Sequence, residues 1–367
     1  MIRLLATALA IGLAPTLSAT AEVHDTERLP IAVQTVTDGL VHPWGMAFLP
    51  DGAILVTERP GTMRIVSPSG VASAPIAGVP EVVSRGQGGL LDVTLHPDFA
   101  ANRLVYWSYA EAGEGGTNGT AIARGRLSDD RGRLEDVEVI FRQQPKVRST
   151  AHFGSRLEFD RDGLLFATLG ERSAARYRVM AQDLGTHLGK VIRIRDDGSV
   201  PPDNPFVGQD GAMPEIWSYG HRNPQGMHEH GPRGGDEVAI PAAGDNHGWP
   251  VFSYGTEYSK EPITDLDEHP PEFARPVWQW TPSIAPSGMA FYAGAEIPEW
   301  EGSLLVGALR GSELVRLTLD GTRVAAEERM LGELGVRFRD VTVGPDGAVY
   351  VLTDAEDGAI LRIVAAD

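Results

Sequence analysis

Pro50-Asp51-Gly52-Ala53-Ile54-Leu55-Val56-Thr57 is a tight turn followed by a short apolar strand, and this pattern decides the fold. Asp-Gly suits a hairpin turn because glycine accepts a positive φ without steric cost. A second short strand often follows, as at residues 63–66. The turn-and-strand pattern recurs at residues 161–168 and 345–353 and, as a variant, at 300–306.

The spacing of these repeats indicates the architecture. Asp51 and Asp162 are 111 positions apart, about two units of 55, and Asp51 and Asp346 are 295 apart, about five units of 59. Periods of this length that contain several short strands are typical of propeller blades. The sequence therefore predicts an all-β, six-bladed β-propeller in a single domain over residues 22–367. A two-domain β-sandwich is the alternative, but no Pro/Ser-rich linker divides the chain.

Composition excludes several classes of function. The 367 residues carry a formal net charge of −18, which argues against binding nucleic acid or an anionic membrane through the general surface. An anionic ligand must instead meet a local cluster of arginine or lysine. The chain has no cysteine, which excludes disulfides, cysteine-ligated zinc and thiol catalysis.

The N-terminus has the pattern of an export signal. A basic start, Met1-Ile2-Arg3, precedes a mostly apolar run over residues 4–17 that is too short to span a bilayer. Ala19-Thr20-Ala21 then offers a small-residue cleavage site. We expect a signal peptide at residues 1–21 and a periplasmic protein without membrane insertion. A buried N-terminal helix is the alternative.

Two residues of one predicted hairpin form a candidate acid–base pair. His152 precedes a strand, and Glu171 ends the next strand, so the hairpin returns Glu171 towards His152. A neutral imidazole can take a proton from a hydroxyl, and a carboxylate partner orients the ring. The competing interpretation is that His152 is an ordinary turn residue.

Polar residues in other loops are candidate ligand-binding groups. Gln87 lies in a glycine-rich loop and can bind a hydroxyl group, or serve only in a turn. Arg337 and Arg339 share one face of an extended segment, which is unfavourable unless an anion lies between them. That anion is a ligand, or else Asp340 acts as a structural partner. Arg310 is a further loop cation.

Two neighbouring stretches suggest an anion site beside a cation site. The turn at residues 218–226 presents Arg222 and Asn223, a guanidinium and a carboxamide. Residues 231–237 follow, with Gly231-Pro232 carbonyls and the carboxylates of Asp236 and Glu237, which favour an oxygen-loving ion such as Ca²⁺. Zinc or copper on His228-Glu229-His230 is the alternative.

These motifs occur in an order that resembles one family. The chain is similar to the soluble aldose sugar dehydrogenases that use pyrroloquinoline quinone (PQQ), and to their glucose dehydrogenase relatives. The resemblance covers nearly all of the chain after residue 21. The matching motifs lie at residues 42–48, 87–99, 152–171, 182–190, 220–226, 231–237, 280–288 and 337–340.

The resemblance implies a role for each candidate residue. His152 would be the general base, with Glu171 behind it, and Gln87 would contact the sugar. The backbone carbonyls of Gly231 and Pro232 would hold a catalytic Ca²⁺. PQQ would be bound by Arg222, Asn223, Arg337 and Arg339, with Arg310 standing where relatives place a lysine.

One departure from the family is substantial. Between Met227 and His228 this chain lacks roughly ten residues of strand that the family has, a length of about 33 Å when extended. We therefore expect one blade to be shortened near residues 227–228. This is the blade that would carry Arg222 and the carbonyls for calcium.

The functional hypothesis is oxidation of the aldose C1 hydroxyl to a lactone, with hydride transfer to PQQ. The expected partners are an aldose and an external electron acceptor, with the protein a monomer or homodimer. A propeller that binds sugar or protein but has lost its cofactor is an alternative. A calcium-dependent lactonase-type hydrolase is another, although the Asp/Glu/Asn cage that it would need is missing from the expected blades.

Overall fold

The first two strands of the chain belong to the same sheet as the last three. In the computed structural model, which describes residues 21–266 and 268–366, β1 (Glu22–His24) pairs with β2 (Ile31–Leu40). Strand β2 then pairs with the final strand, so the two ends of the chain close the ring of sheets. Most of the predicted signal peptide, residues 1–20, lies outside the described residues.

Six antiparallel sheets follow one another around a central axis as blades. Blade 1 comprises β3 (Pro43–Phe48), β4 (Ile54–Glu58) and β5 (Thr62–Val66). Blade 2 comprises β6 (Leu90–Leu95), β7 (Leu104–Ala112), β8 (Asn118–Leu127) and β9 (Leu134–Arg142). Blade 3 comprises β10 (Gly154–Phe159), β11 (Leu165–Leu169), β12 (Lys190–Ile194) and β13 (Ile216–Tyr219). Blade 4 comprises β14 (His228–Glu229), β15 (Asp236–Val238) and β16 (Trp278–Trp280). Blade 5 comprises β17 (Pro286–Phe291), β18 (Leu304–Ala308), β19 (Leu314–Asp320) and β20 (Arg323–Met330). Blade 6 comprises β21 (Phe338–Val343), β22 (Val349–Thr353) and β23 (Gly358–Ala365), together with β2 and β1.

Helices are confined to short connections. Helix α1 (Phe99–Asn102) links β6 to β7, and α2 (Ala175–Arg178) lies between β11 and β12. Short 3₁₀ turns span Glu114–Gly116, Val179–Gln182, Pro298–Trp300 and Gly332–Leu334. No helix among the described residues is both long and apolar enough to cross a membrane. The six-bladed all-β architecture predicted from the repeats is confirmed.

Apolar clusters join most neighbouring blades. Alternating strand residues of facing blades pack together between blades 1 and 2, 2 and 3, 4 and 5, 5 and 6, and 6 and 1. Within the described ranges no comparable cluster joins blades 3 and 4. Polar contacts occupy that seam: His221 stacks on His247 at 4.2 Å, and Gln182 and Asn246 exchange two hydrogen bonds of 2.8 and 2.9 Å.

Blade 4 is the shortened blade that the sequence predicted. Its strands contain two, three and three residues, whereas those of blade 3 contain four to six. Strand β14 begins at His228, directly after the point where the missing residues were noted. The loss falls on the blade expected to carry Arg222 and the Gly231-Pro232 turn.

Candidate functional site

The hairpin of β10 and β11 brings His152 and Glu171 together at one end of blade 3. Gly154 and Leu169 are paired across the two strands, and the residues just beyond them face each other. Nδ1 of His152 lies 2.8 Å from Oε1 of Glu171. The predicted pairing of these two residues is therefore present in the structure.

Close packing fixes the backbone on both sides of this pair. His152 has a φ of +50°, a left-handed conformation that a residue with a side chain rarely adopts. A Cβ on Gly170 would lie 2.2 Å from the carbonyl oxygen of His152, so only glycine fits beside it. The peptide N–H of His152 donates to Oε1 of Gln87 at 2.7 Å. The predicted base is held by blade 2 as well as by its own blade.

The electrostatic setting favours a neutral imidazole beside a carboxyl group that titrates near neutrality. Burial, together with the positive charges of Arg222, Arg178 and Arg172, holds the pKa of His152 well below its usual value. Burial raises the pKa of Glu171 to about 7, opposed by the charge of Arg222. Oε2 of Glu171 accepts the N–H of Ser173 at 2.6 Å, which leaves Oε1 for the imidazole.

A cavity of about 120 Å³ lies beside this pair; its lining includes Phe153 and Gly154, which follow His152, but neither His152 nor Glu171 itself. Four predicted site residues line it, namely Gln87, Asn223, Arg337 and Arg339. Arg59 also lines it, together with Trp44, His230, Leu309 and Asp354 among others. Three guanidinium groups thus face a cavity whose lining contains one carboxylate, so the cavity has an excess of positive charge.

The shared face of Arg337 and Arg339 is confirmed, but their structural partner differs from the one expected. Nε of Arg337 lies 3.1 Å, and Nη2 of Arg339 2.9 Å, from Oδ2 of Asp354. Asp340, the predicted alternative, instead accepts the N–H of Met46 and pairs with Arg156 at 3.0 Å. One carboxylate therefore lies between the two arginines, and the buried Nε of Arg339 still has no partner among the described residues.

Arg222 and Asn223 lie in the connection between blades 3 and 4, where Asn223 lines the cavity and Arg222 does not. Nη1 of Arg222 donates to the carbonyl of His230 at 2.9 Å, while its buried Nε has no partner in the described part of the chain. Oδ1 of Asn223 accepts the N–H of Gly154 at 3.1 Å. Asn223 therefore contacts blade 3, whereas Arg222 contacts blade 4.

Asp236 anchors the Gly231-Pro232 turn and is not placed as a cation ligand. Its two carboxylate oxygens accept the N–H groups of Gly231, Ile284 and Ala285 at 2.7–2.8 Å, and the hydroxyl of Ser283. These donors occupy both carboxylate oxygens, so the predicted contact of Asp236 with a metal ion stays a prediction that this geometry does not favour. The turn that it anchors is buried.

Glu237 also lies away from the expected cation position. It follows Asp236 on β15 and so projects to the opposite face of the strand, in register with Glu229 of β14. Burial, and then the nearby charge of Glu229, raise the pKa of Glu237 well above its usual value. Of the four predicted metal ligands, this leaves the carbonyls of Gly231 and Pro232, which accept no hydrogen bond from the described residues.

The alternative metal sites find no support in the described residues. No group of three or more His, Asp or Glu side chains in residues 21–266 and 268–366 is arranged to hold a metal ion. His230 instead points Nε2 at the carbonyl of Pro286, 2.5 Å away. Neither a zinc or copper site on residues 228–230 nor the cage of a lactonase is formed by side chains here.

Several residues near the site were missed from the sequence. Arg59 directly follows β4, and its position one residue past the repeated turn-and-strand pattern was the only signal in the sequence. Arg178 carries a charge that acts on His152 and Glu171 and forms an ion pair with Glu257. Arg310, which was predicted, is exposed beside Leu309 and does not line the cavity, so its role stays a prediction.

Known proteins are similar to this chain over most of its length. Aldose sugar dehydrogenase YliI of Escherichia coli K12 is 45% identical over 346 residues, covering 91% of this chain and 92% of that protein. A crystal structure of glucose dehydrogenase is 52% identical with a TM-score of 0.88, covering 91% and 99%. The PQQ-bound form of aldose sugar dehydrogenase from Streptomyces coelicolor is 30% identical with a TM-score of 0.74, covering 95% and 100%.

The family assignment agrees with the geometry of the site. The family described as Glucose / Sorbosone dehydrogenase matches residues 40–362, which include strands of all six blades and every candidate residue above. The resemblance to sugar dehydrogenases that the sequence indicated is therefore confirmed. The chain belongs to the Glucose / Sorbosone dehydrogenase family of oxidoreductases.

Proposed function

We propose that this protein is a periplasmic quinoprotein that oxidises the C1 hydroxyl of aldoses to lactones, with PQQ and Ca²⁺ bound at the mouth of the propeller. The observation that carries the proposal is the His152–Glu171 pair beside a cavity ringed by guanidinium groups. The N-terminal export pattern supports the location, and an external electron acceptor would complete the cycle.

The residues around the cavity fit a tricarboxylic quinone. Arginine binds carboxylates by charge-assisted hydrogen bonds, and a buried donor without a partner is unfavourable. The unpartnered Nε atoms of Arg222 and Arg339, in the described structure, are donors of this kind. Arg59 and Arg337 add two more guanidinium groups to the rim, and Asn223 adds a carboxamide.

The Gly231-Pro232 turn fits a hard cation. Calcium prefers oxygen ligands, including backbone carbonyls, and both carbonyls here lack donors from the described residues. Asp236 holds the turn through the N–H of Gly231 at 2.8 Å, so the carbonyls have a fixed position. Two protein carbonyls leave most of the coordination to cofactor, substrate and water.

The hydroxyl proton would be removed by His152. When Glu171 is ionised, Nδ1–H of the imidazole donates to its Oε1, and the lone pair on Nε2 is free to accept a proton from the C1 hydroxyl. Bound PQQ would accept the hydride from C1, with Ca²⁺ polarising the quinone carbonyl. Gln87 would orient the sugar through its amide N–H groups, because its oxygen accepts the peptide N–H of His152.

Reconstitution tests the proposal. Purified cofactor-free protein receives PQQ and Ca²⁺, and aldose-dependent reduction of a dye is recorded. We expect activity that requires both additions, is abolished by a chelator and yields the lactone. PQQ binding without turnover of any aldose would favour a propeller that has lost catalysis, and absence of PQQ binding would refute the quinoprotein assignment.

A further inference from the structure

A hairpin in the long connection between β15 and β16 reaches back over the site. Thr256 and Pro262 are bridged, and the N–H of Glu257 donates to the carbonyl of Glu261 at 2.8 Å, which closes the turn. We refer to residues 256–262 as the mouth hairpin. At its base, a Cβ on Gly255 would lie 2.1 Å from the carbonyl oxygen of Gly234, so the hairpin packs directly on the Gly231–Gly235 turn.

Two side chains of the mouth hairpin contact the cations next to the catalytic pair. Glu257 forms an ion pair with Arg178, with Nη2 of the arginine 3.2 Å from Oε2. The hydroxyl of Tyr258 lies 3.5 Å from Nη2 of Arg222. Both arginines have their guanidinium carbons 5.4 Å from the ring of Trp249, so one indole links the two contacts.

The side chains of Arg178, Glu257 and Tyr258 are partly or largely exposed, and one of their hydrogen-bond donors lacks a partner, which a purely structural contact does not require. The side chains of Arg178 and Glu257 are 22% and 27% exposed, and Tyr258 is 66% exposed although its hydroxyl faces the site. The buried Nε of Arg178 has no partner in the described residues. An exposed aromatic ring beside an incompletely bonded Arg–Glu pair is chemistry that suits a ligand with many hydroxyl groups.

We propose that the mouth hairpin forms the outer wall of the sugar subsite, where Tyr258 and the Arg178–Glu257 pair contact aldose hydroxyls other than the one that reacts. This inference rests on the proposed dehydrogenase function. His152 would lie at C1, because the proposed base must reach the hydroxyl that reacts. Arg178 would donate to one sugar oxygen, Glu257 would accept from a neighbouring hydroxyl, and the ring of Tyr258 would cover the apolar face of the sugar.

A series of sugars that each lack one hydroxyl group tests the proposed contact. The PQQ- and Ca²⁺-loaded enzyme is assayed with its best aldose and with the matching single-deoxy sugars, for wild type and Glu257→Gln. A site built to bond a hydroxyl rejects the analogue that lacks it. We expect wild type to prefer the parent aldose over one deoxy sugar by roughly tenfold or more, and Glu257→Gln to reduce that preference to about twofold. Preferences against the other deoxy sugars should not change.

Matched variants separate binding from folding. Glu261→Gln alters an exposed carboxylate of the same hairpin that contacts no described side chain, and should leave every preference unchanged. Tyr258→Ala should raise KM for all aldoses more than it lowers kcat. Calorimetric titration of the parent sugar into enzyme with reduced PQQ should show the same losses in affinity, while PQQ affinity and melting temperature stay at wild-type values.

The outcomes distinguish this inference from the proposed function. If Glu257→Gln lowers kcat/KM equally for all sugars, or changes nothing, the hairpin is not a sugar-binding wall. The inference would also be overturned if the wild-type enzyme showed no preference for the parent aldose over any of the deoxy sugars. If wild type neither binds PQQ nor oxidises any aldose, the proposed function itself has failed.

Discussion

Blades 3 and 4 both contribute to the site, yet they position their residues in different ways. In blade 3 the strands are four to six residues long, and the ladder between β10 and β11 brings His152 to Glu171. In blade 4 the strands have only two or three residues, and the carboxylate of Asp236 holds the turn instead. A buried carboxylate that accepts several N–H groups can replace the backbone pairing that a short blade lacks.

In the seam between these two blades, polar side-chain contacts likewise take the place of the packing found elsewhere. Five blade interfaces are filled by apolar clusters, whereas polar stacking and hydrogen bonds fill the seam between blades 3 and 4 in the described ranges. Apolar packing is tolerant of small displacements, but hydrogen bonds require defined geometry. We infer that the shortened blade depends on individual polar side chains more than any other blade does.

The largest effect is expected at the proposed catalytic pair of blade 3, His152 and Glu171. In Glu171→Gln, the side-chain oxygen is needed by the N–H of Ser173, so the amide NH₂ would face Nδ1 of His152. The imidazole would then carry its proton on Nε2 and lose its function as a base. We expect kcat to fall by about 10³- to 10⁴-fold, as in other base–carboxylate pairs given the wrong tautomer. Steady-state kinetics with saturating PQQ measures it.

The pH profile of the wild-type enzyme provides the companion test. Because burial raises the pKa of Glu171 to about 7, Glu171 is protonated below that pH and can donate from Oε1 to Nδ1. His152 then has its own proton on Nε2, so kcat should decline as pH falls through about 7. A kcat that is constant from pH 8 to pH 5, or a Glu171→Gln enzyme with near-normal turnover, would remove this pair from the mechanism.

The next effect is expected at the anchor of blade 4. Asp236→Ala leaves the N–H groups of Gly231 and Ile284 without their side-chain acceptor, and leaves that of Ala285 with only the hydroxyl of Ser283 at 3.2 Å. Each buried unsatisfied donor costs about 1–3 kcal/mol, so we expect the free energy of unfolding to fall by about 4 kcal/mol. Urea denaturation measures this change, and PQQ affinity should fall with it.

Glu237 supplies the control in the same strand. It is also buried, and burial and then the charge of Glu229 raise its pKa, but no N–H group among the described residues donates to its carboxyl group. Glu237→Gln should therefore change stability by less than about 1 kcal/mol. Equal losses for the Asp236 and Glu237 variants would mean that burial, and not the network of N–H groups, makes Asp236 important.

The smallest effect is expected at the rim of the cavity. Arg59 lines the cavity near the more deeply buried Arg339, whose pKa is lowered by burial and, to a smaller extent, by the charges of Arg337 and Arg59. Arg59→Ala should weaken PQQ binding by about tenfold, the lower end of the range for a charged hydrogen bond, because Arg59 is only half-buried. Arg310 is exposed outside the cavity lining, so Arg310→Ala should weaken PQQ binding less than Arg59→Ala does. A larger loss of PQQ affinity in Arg310→Ala would contradict this placement of the cofactor.

The sequence predicted the fold through its repeated Asp-Gly turns, because a turn and an apolar strand have local signatures. It also predicted the pairing of His152 with Glu171, since both end strands of one hairpin. It did not find Asp354 between Arg337 and Arg339, or Glu257 beside Arg178, because these contacts join residues 15 to 79 positions apart across loops. The sequence did not predict that Asp236 accepts hydrogen bonds from residues 283–285, because these donors cannot be inferred from its neighbours in the chain.

The central claim is that side-chain hydrogen bonds form the rim of the shortened blade before any cofactor binds. Hydrogen–deuterium exchange of the cofactor-free protein tests it at the amides of Gly231, Ile284 and Ala285, whose N–H groups donate to Asp236. We predict protection comparable to that of amides in the β11–β12 ladder of blade 3, without PQQ or Ca²⁺. Exchange as fast as in exposed loops, slowing only when PQQ and Ca²⁺ are added, would contradict the claim.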